Sequence, residues 1–250
     1  MINFHGKTAL ITGGSRGIGR ACALLLARFG CQVAITYQSN EAAAAEVIKS
    51  SGQHGLAAKA YRCDVTKLDE ISSMAQSVVK DFGRIDVLIN SAGISQIVAV
   101  PDLTEEDWDH MMSVNLKGTF FCCQEILKQM QIQKGGRIVN VASTAGQVGG
   151  FIVGVNYSAS KAGVICLTKS LAKYALPSGV TVNCVAPGLI DTEMTSSYPR
   201  ERVSSLVASI PMGRMGSADE VANGIAFLAS DAASYITGTT LYINGGTYLG

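Results

Sequence analysis

A tyrosine and a lysine stand four positions apart in the segment NYSASK, residues 156–161. On a helix, residues at this spacing lie on one face, a turn above each other. An ammonium beside a phenol favours the phenolate, so Lys161 is predicted to lower the pKa of Tyr157 from about 10 towards neutrality. Such a phenol could exchange a proton with a substrate. The alternative is a solvated pair on an amphipathic helix, and the other motifs must decide between the two.

A glycine-rich segment, TGGSRGIG at residues 12–19, follows a predicted strand and leads into a predicted helix. Glycines at positions 13, 17 and 19 would let the backbone approach a pyrophosphate, and the helix N-terminus offers free N–H groups and a partial positive charge. The spacing differs from the G-x-G-x-x-G fingerprint, and the missing G-K-[ST] ending argues against an ATPase. A tight turn without a ligand is the alternative. The flanking strand and helix favour a dinucleotide site.

The end of the second predicted strand indicates which dinucleotide would bind. A site for NAD usually presents an acidic residue about 20 residues beyond the glycines. This chain instead has Tyr37, Gln38, Ser39 and Asn40 there. Arg16, within the glycine turn, could bind a 2′-phosphate through two parallel hydrogen bonds. The sequence therefore predicts NADPH/NADP+ rather than NAD as the cofactor.

Alternating strands and helices must position these residues. Strands are predicted at residues 7–12, 32–37, 56–61, 85–90, 136–143, 180–187 and 239–245, and helices at 16–30, 40–52, 68–83, 105–130, 156–175 and 217–231. This alternation predicts an α/β fold: one Rossmann domain over residues 1–250, with a doubly wound parallel sheet of about seven strands and helices on both faces. Residues 188–216 interrupt the pattern with one short helical segment, either a lid over a substrate or an ordered surface loop.

Composition narrows the classes of function. The chain has 250 residues, 48% of them hydrophobic, and suits one large α/β domain. A formal net charge of +1 gives no basic field for nucleic acid or an anionic membrane. Without a membrane-length apolar run or a signal-like N-terminus, a cytoplasmic protein is expected. Seven cysteines without a C-x-x-C pair, and three histidines, argue against disulfides and a metal site.

Seven motifs, in order along the chain, resemble those of the short-chain dehydrogenase/reductase family. They are TGGSRGIG at 12–19, CDV at 63–65, NSAG at 90–93, VNLKG at 114–118, VNVAS ending at Ser143, YSASK at 157–161 and APGLIDTEM at 186–194. The resemblance covers nearly the whole chain and implies nicotinamide chemistry with the catalytic set Asn115, Ser143, Tyr157 and Lys161. It implies that the cofactor contacts Gly13, Ser15, Arg16, Gly17, Ile18, Gly19, Tyr37, Gln38, Ser39, Asp64, Val65, Asn90, Ala92, Gly93, Tyr157, Lys161, Pro187, Gly188, Ile190 and Thr192.

The resemblance also implies a role for each catalytic residue. Tyr157 would exchange a proton with the substrate oxygen, and Ser143 would stabilise the charge that develops on that oxygen. Lys161 would lower the pKa of Tyr157 and bind the nicotinamide ribose, while Asn115 would hold a water that relays protons to solvent. Structural roles are the alternative: Ser143 as a cap at a strand end and Asn115 as a helix residue bonded to its own backbone.

Chain order supports a shared location for these residues. Gly13 follows the first predicted strand, Asn90 the fourth, Ser143 the fifth and Pro187 the sixth. The carboxyl ends of parallel strands meet at one edge of the sheet, where ligands of such sheets bind. We therefore expect one cleft that holds both the cofactor and the catalytic residues.

Within the family, the segments around 3–21, 155–172 and 210–246 most resemble the 3-oxoacyl-[acyl-carrier-protein] reductases of fatty acid synthesis. That resemblance implies reduction of a carbonyl to a secondary alcohol, an acyl carrier protein as a candidate partner, and a homotetramer built through helices at about 104–130 and 156–175 and the C-terminal strand. An acidic carrier favours a basic docking patch, but residues 128–137 and 173–179 contain only scattered Lys and Arg.

Two other functions therefore stay open. One is an NADP(H)-dependent alcohol dehydrogenase or ketoreductase acting on a free small molecule such as a sugar, a steroid or another secondary alcohol. The other is a non-catalytic nucleotide-binding scaffold, against which the intact set of Ser143, Tyr157 and Lys161 argues. The apolar segment GGFIVGV, residues 149–155, predicts an apolar wall for the substrate pocket.

Overall fold

The computed structural model describes residues 2–150 and 152–250, in which strands alternate with helices. In the first half the elements are β1 (Thr8–Thr12), α1 (Gly17–Arg28), β2 (Gln32–Tyr37), α2 (Glu41–Gly52), β3 (Ala58–Arg62), α3 (Leu68–Phe82), β4 (Val87–Asn90), α4 (Glu105–Met112) and α5 (Thr119–Gln133). In the second half they are β5 (Gly136–Val141), α6 (Ala145–Val148), α7 (Val155–Ala175), β6 (Val180–Pro187), β7 (Ile190–Asp191), α8 (Glu193–Ser196), α9 (Arg200–Ser209), β8 (Gly216–Ser217), α10 (Ala218–Ala229) and β9 (Thr240–Ile243).

Seven strands form one parallel sheet in the order β3-β2-β1-β4-β5-β6-β9. The strand order reverses between β1 and β4, which pair directly with Ile11 opposite Ile89. At such a reversal the loops that follow the two strands diverge to opposite faces, which opens a crevice at the carboxyl edge. The predicted α/β fold with about seven parallel strands is confirmed.

Helices cover both faces of this sheet. On one face, α1, α2 and α10 pack against strand residues such as Ile11 and Val33. On the other face, α3, α5 and α7 pack against Leu10 and Ala34, the residues adjacent to Ile11 and Val33 in the sequence. Because successive residues of a strand point to opposite faces, every central strand contributes to both layers. The doubly wound arrangement is also confirmed. Within residues 2–150 and 152–250, no helix is long and apolar enough to cross a membrane.

Local capping fixes where several helices begin and end. Gly83 ends α3 in the left-handed conformation at φ 78°. Asn40 begins α2 by accepting a hydrogen bond from the Ala43 amide at 3.0 Å. Ser217 and Glu220 form a capping box at the start of α10. These residues fix the lengths of the connecting loops and hence the position of each strand end.

The long helix predicted over 105–130 is interrupted in the structure. Residues Ser113–Gly118 form a π-helical turn between α4 and α5. This turn carries Asn115, whose Oδ1 accepts a hydrogen bond from the Ile94 amide at 2.9 Å. Its Nδ2 donates to the Ile94 carbonyl at 3.0 Å. Helical periodicity does not reveal the interruption, because it accompanies a contact with a distant loop. π-Helical turns are rare in proteins, and those that occur are often found at functional sites.

Residues 188–216 form an ordered insert beyond β6. Its ends are joined by a two-stranded parallel sheet in which Ile190 of β7 lies opposite Gly216 of β8. Between these strands lie α8 and α9, separated by a short connection that contains Tyr198 and Pro199. The single short helix predicted here is therefore two helices, because the proline cannot continue a regular hydrogen-bond ladder.

Candidate active site

A cavity of about 1300 Å³ opens at the carboxyl edge of the sheet, and the insert contributes to its wall. It is larger than the upper end of about 1000 Å³ usual for a single small ligand. Every predicted cofactor and catalytic residue lines it except Gly19, Asn90 and Asn115, which are buried beneath it. The structure therefore brings the two predicted groups of residues to one place, as the strand order requires.

The glycine turn lies against the loop after β4. Gly13 has a φ of 64°, and a Cβ there would lie 2.8 Å from the Ala92 Cα, so only glycine fits. The Gly13 amide donates to Thr36 Oγ1 at 3.2 Å, which joins the turn to β2. Among the described residues of α1, no side chain caps the N-terminus and none in the first turn is acidic. The free N–H groups therefore face a cavity, an arrangement that suits a pyrophosphate.

This cavity is lined by two arginines close to the glycine turn and by three acidic residues, Glu46, Asp64 and Glu193. Arg16, the N-cap residue of α1, and Arg20, in the first turn of α1, are exposed and line it. Asp64, one of the predicted cofactor contacts, accepts hydrogen bonds from Thr66 Oγ1 at 2.8 Å and Gln38 Nε2 at 3.2 Å. Burial raises the pKa of Asp64, but these hydrogen bonds outweigh it and hold the pKa below its ordinary value. The sequence prediction missed Arg20, although its position four residues beyond Arg16 places both on one helix face.

Lys161 lines the cavity with a largely buried side chain that points at the sheet. It is 5% exposed, and its Nζ donates to the Val141 carbonyl at 2.9 Å. The same nitrogen lies 5.8 Å from the centroid of the Tyr157 ring. Burial lowers the pKa of Lys161 from 10.5 to about 8, because an ammonium loses its hydration there. Lys161 and Tyr157 therefore lie close together, as predicted, and the Lys161 nitrogen is near the face of the Tyr157 ring.

The net shift of the Tyr157 pKa is opposite to the one predicted. The pKa of Tyr157 is raised to about 12, mainly by burial; the nearby Ser143 hydroxyl partly opposes this rise and the nearby Tyr198 contributes to it. Desolvation dominates because both members of the lysine–tyrosine pair are buried and each is driven towards its neutral form. At neutral pH the phenol is consequently protonated, and it lies beside a partly buried serine hydroxyl.

Comparison with known proteins identifies the family. A family model described as Enoyl-(Acyl carrier protein) reductase matches residues 13–248. The 3-oxoacyl-[acyl-carrier-protein] reductase FabG of Staphylococcus aureus (strain N315) is 43% identical over 243 residues, which cover 97% of this chain and 98% of that protein. FabG of Escherichia coli (strain K12) is 40% identical over 248 residues, 99% of this chain and 100% of that protein.

Solved structures agree with this result. A short-chain type dehydrogenase/reductase from Mycobacterium marinum superimposes with a TM-score of 0.94 at 35% identity, covering 100% of this chain and 98% of the other. The crystal structure of gox2181 has the same TM-score and identity, and covers 98% and 97%. This chain belongs to the short-chain dehydrogenase/reductase family. It is therefore an oxidoreductase, as its motifs predict.

Asn115 of the family's catalytic set has a clear structural partner here. Its side chain is fully buried. The side-chain amide accepts a hydrogen bond from the Ile94 amide and donates one to the Ile94 carbonyl, and its Nδ2 also donates to Ser160 Oγ at 3.1 Å. Its backbone carbonyl accepts a hydrogen bond from Thr119 Oγ1 at 2.8 Å. The side chain thus holds the loop after β4 against α7. Its predicted part in a proton relay stays a prediction.

Ser143 both caps the backbone that follows β5 and lines the cavity. Its Oγ accepts a hydrogen bond from the Ala145 amide at 3.1 Å, the capping role considered above as an alternative. The same side chain lines the cavity beside Tyr157. A serine hydroxyl can accept one bond and still donate another. The two roles are therefore compatible in this member of the family.

The family motifs do not cover the rest of the cavity wall. Ser95, in the loop after β4, and Tyr198, in the insert, both line it and are hydrogen-bonded to each other at 2.9 Å. Neither belongs to a motif, and sequence periodicity does not pair an insert with a loop about a hundred residues earlier. Ile152 and Val153 line the wall as predicted for the apolar segment 149–155, in which Phe151 lies outside the described residues.

Proposed function

We propose that this protein is an NADPH-dependent ketoreductase that reduces a 3-oxoacyl thioester to the 3-hydroxyacyl thioester. The observation that carries the proposal is a protonated phenol, Tyr157, next to Ser143 in a cavity that also contains a dinucleotide-type glycine turn. The relatives at 40–43% identity are named 3-oxoacyl-[acyl-carrier-protein] reductases, which supports this substrate class. We further propose that residues 188–216 form the substrate loop of a single domain spanning 1–250.

The residues of the cavity fit a nicotinamide dinucleotide. The glycine turn and the uncapped N-terminus of α1 would bind its pyrophosphate, Asp64 with Val65 its adenine, and Arg16 a 2′-phosphate. Lys161 would bind the nicotinamide ribose. When bound, the reduced cofactor supplies the hydride; the protein orients the substrate and manages one proton.

The chain's own residues then act on the substrate oxygen. Ser143 donates a hydrogen bond to the carbonyl oxygen and stabilises the negative charge that develops there. Tyr157 transfers its proton to the same oxygen. Because its pKa is raised, the phenol still carries this proton at neutral pH. Lys161 lies 5.8 Å from the tyrosine ring, where its ammonium form would stabilise the resulting phenolate. A water held by Asn115 would then return a proton from solvent.

A reductase assay tests this function. The protein is mixed with NADPH and either acetoacetyl coenzyme A or an acetoacetyl acyl carrier protein, and the absorbance of the reduced nicotinamide is followed. We expect oxidation of NADPH with stoichiometric 3-hydroxybutyryl product. A faster reaction with the carrier-bound form would identify a carrier protein as the partner. Turnover of simple ketones, sugars or steroids without turnover of either thioester would favour the free-alcohol alternative.

Enoyl reduction is a second candidate, because the matching family model carries that description. A parallel assay with a crotonyl thioester distinguishes the two reactions. Hydride addition to the β-carbon of a crotonyl thioester develops negative charge on the thioester carbonyl oxygen rather than on a ketone oxygen at the reacting carbon, so Ser143→Ala would affect the two reactions differently. Activity with the crotonyl substrate and none with the acetoacetyl substrate would overturn the ketoreductase proposal.

Arg16→Ala is expected to weaken NADPH binding about tenfold or more while changing NADH binding little, because a charge-assisted phosphate contact contributes about 1.5–3 kcal/mol. Equilibrium titration of cofactor fluorescence measures both affinities. Arg28→Ala, at the other end of α1, is the matched control and should leave both unchanged. An equal loss for the two cofactors would remove Arg16 from the phosphate site.

We also propose a homotetramer. A groove of about 820 Å³ between the π-helical turn and α7 is open to solvent and lined by Leu116, Phe120, Cys166 and Leu167. A second copy of the chain would cover these apolar side chains. Cys166→Glu, an exposed position, should lower the mass found by sedimentation equilibrium, whereas Lys169→Glu on the same helix outside the groove should not. An unchanged mass in both variants would contradict assembly through this groove.

A further inference from the structure

Two hydroxyl groups in the cavity take no part in the chemistry described so far. Tyr198 Oη, from the connection between α8 and α9, donates a hydrogen bond to Ser95 Oγ at 2.9 Å. Both side chains are partly buried and line the same cavity as Tyr157. Tyr198 also lies near enough to Tyr157 to raise its pKa, so the pair is close to the group that would donate the proton.

The backbone around Ser95 is fixed on both sides. Ile94 is held by the two hydrogen bonds of Asn115, at 2.9 and 3.0 Å. Gln96 accepts a hydrogen bond from the Gly154 amide at 2.9 Å, and its Nε2 donates to Asp107 at 2.6 Å. A hydroxyl held this way is already oriented before a ligand arrives, which reduces the entropy lost on binding.

The pair offers a ligand one free donor. Each hydroxyl carries one O–H, and the hydrogen bond between them uses one of the two. Burial raises the pKa of Tyr198, so its hydroxyl stays protonated at neutral pH. The remaining O–H can therefore be given to an acceptor atom. Because Tyr198 donates within the pair, the free donor is the Ser95 O–H, and the ligand atom that completes the pair is an acceptor with a free lone pair.

The charges around the cavity indicate that this acceptor is neutral. Among the described residues that line it, the basic side chains other than Lys161 are Arg16 and Arg20 of α1 and His110. Both arginines belong to the glycine-turn end, and Lys161 is bonded to the Val141 carbonyl. A carboxylate would bind poorly beside two neutral hydroxyls. An ester or thioester carbonyl oxygen meets both requirements.

We propose that Ser95 and Tyr198 bind the second carbonyl oxygen of the substrate, the one in the ester or thioester group, and thereby select a 3-oxo ester over a simple ketone. This proposal rests on the ketoreductase function proposed above. Both carbonyl oxygens of a 3-oxo ester are then bound, the reacting one by Ser143 and Tyr157 and the other by Ser95 and Tyr198. The insert, through Tyr198, becomes a specificity element.

Two substrates of equal chain length test this role: ethyl acetoacetate and 2-heptanone, which lacks the second carbonyl. Tyr198→Phe and Ser95→Ala are each expected to lower kcat/KM for ethyl acetoacetate about tenfold and to leave 2-heptanone within about twofold, because the loss is one hydrogen bond to a neutral group. Ser95→Thr keeps the hydroxyl and should keep the preference. Tyr235→Phe removes a phenol oxygen on a fully exposed residue and is the matched control.

Binding provides a readout that does not depend on turnover. Calorimetric titration of the NADP+-loaded protein with ethyl acetoacetate, a pair that cannot react, should give a Kd about tenfold higher in Tyr198→Phe than in the wild type. Equal losses for both substrates would assign the pair a packing role and overturn the proposal, as would an unchanged preference. A wild type that reduces 2-heptanone and not ethyl acetoacetate would instead overturn the proposed function itself.

Discussion

Tyr157→Phe is expected to lower kcat for ketone reduction by about 10²–10⁴-fold, the range for a positioned general acid. The substitution removes one oxygen from a side chain that is 9% exposed and leaves the ring in place. The neighbouring Ser143 hydroxyl is far too weak an acid to replace it, and the Lys161 ammonium lies near the face of the ring with its Nζ bonded to the Val141 carbonyl.

The measurement is steady-state turnover with NADPH, combined with cofactor titration and thermal unfolding of the same variant. NADPH should still bind and the unfolding temperature should change little, since the ring still fills its site. Tyr235→Phe, on the surface, is the control and should retain full activity. Near-normal turnover by Tyr157→Phe would remove this residue from the chemistry and leave a cofactor-binding protein without an assigned acid.

Lys161→Met is expected to abolish most activity and, at the same time, to make the cofactor-free protein more stable. Burial lowers the pKa of Lys161 from 10.5 to about 8, so folding at pH 7 costs about 3 kcal/mol relative to an exposed lysine. The substitution removes that cost but also the hydrogen bond to the Val141 carbonyl, worth about 1 kcal/mol. The expected net gain is about 1–2 kcal/mol.

The sign of this effect depends on pH in a defined way. Between pH 8 and 10.5 the unfolded chain binds more protons at Lys161 than the folded chain, so the wild type gains stability as the pH rises through this range. The advantage of Lys161→Met should therefore be constant below about pH 8 and disappear by about pH 10.5.

Urea unfolding of both proteins at several pH values measures this advantage. Lys169→Met, at an exposed position on the same helix, should keep activity and show no such trend. A variant less stable than the wild type at every pH would mean that the buried lysine is stabilised by its surroundings.

The fold could be predicted closely from the sequence because local signals and the tertiary structure agree. The apolar runs at 32–37 and 180–187 coincide with β2 and β6 to the residue. Such strands are buried on both faces and leave continuous apolar runs in the sequence. The glycine turn could also be predicted from the sequence, because the backbone conformation and the close contact at Gly13 are tolerated only by glycine.

Parts of the site could not be predicted because they depend on contacts between distant segments. Spacing alone placed Lys161 beside Tyr157, but the burial that raises the pKa of the phenol comes from the whole cavity wall. The bond between Ser95 and Tyr198 joins a loop to an insert, and no periodicity links them. The π-helical turn at Ser113–Gly118 likewise accompanies a tertiary contact in a segment of ordinary helical composition.

That widened turn adds about one residue within a continuous helix that runs from α4 to α5. Ahead of it, α4 presents Asp107 to the loop after β4; behind it, α5 buries Cys122, Cys123 and Ile126 against the sheet. Deleting one residue from Ser113–Gly118 would restore an ordinary helix and leave the two halves nearly in their present orientation, because the wider turn takes up about one extra residue. The deletion would instead disturb the local backbone that carries Asn115, and with it the two hydrogen bonds that hold Ile94.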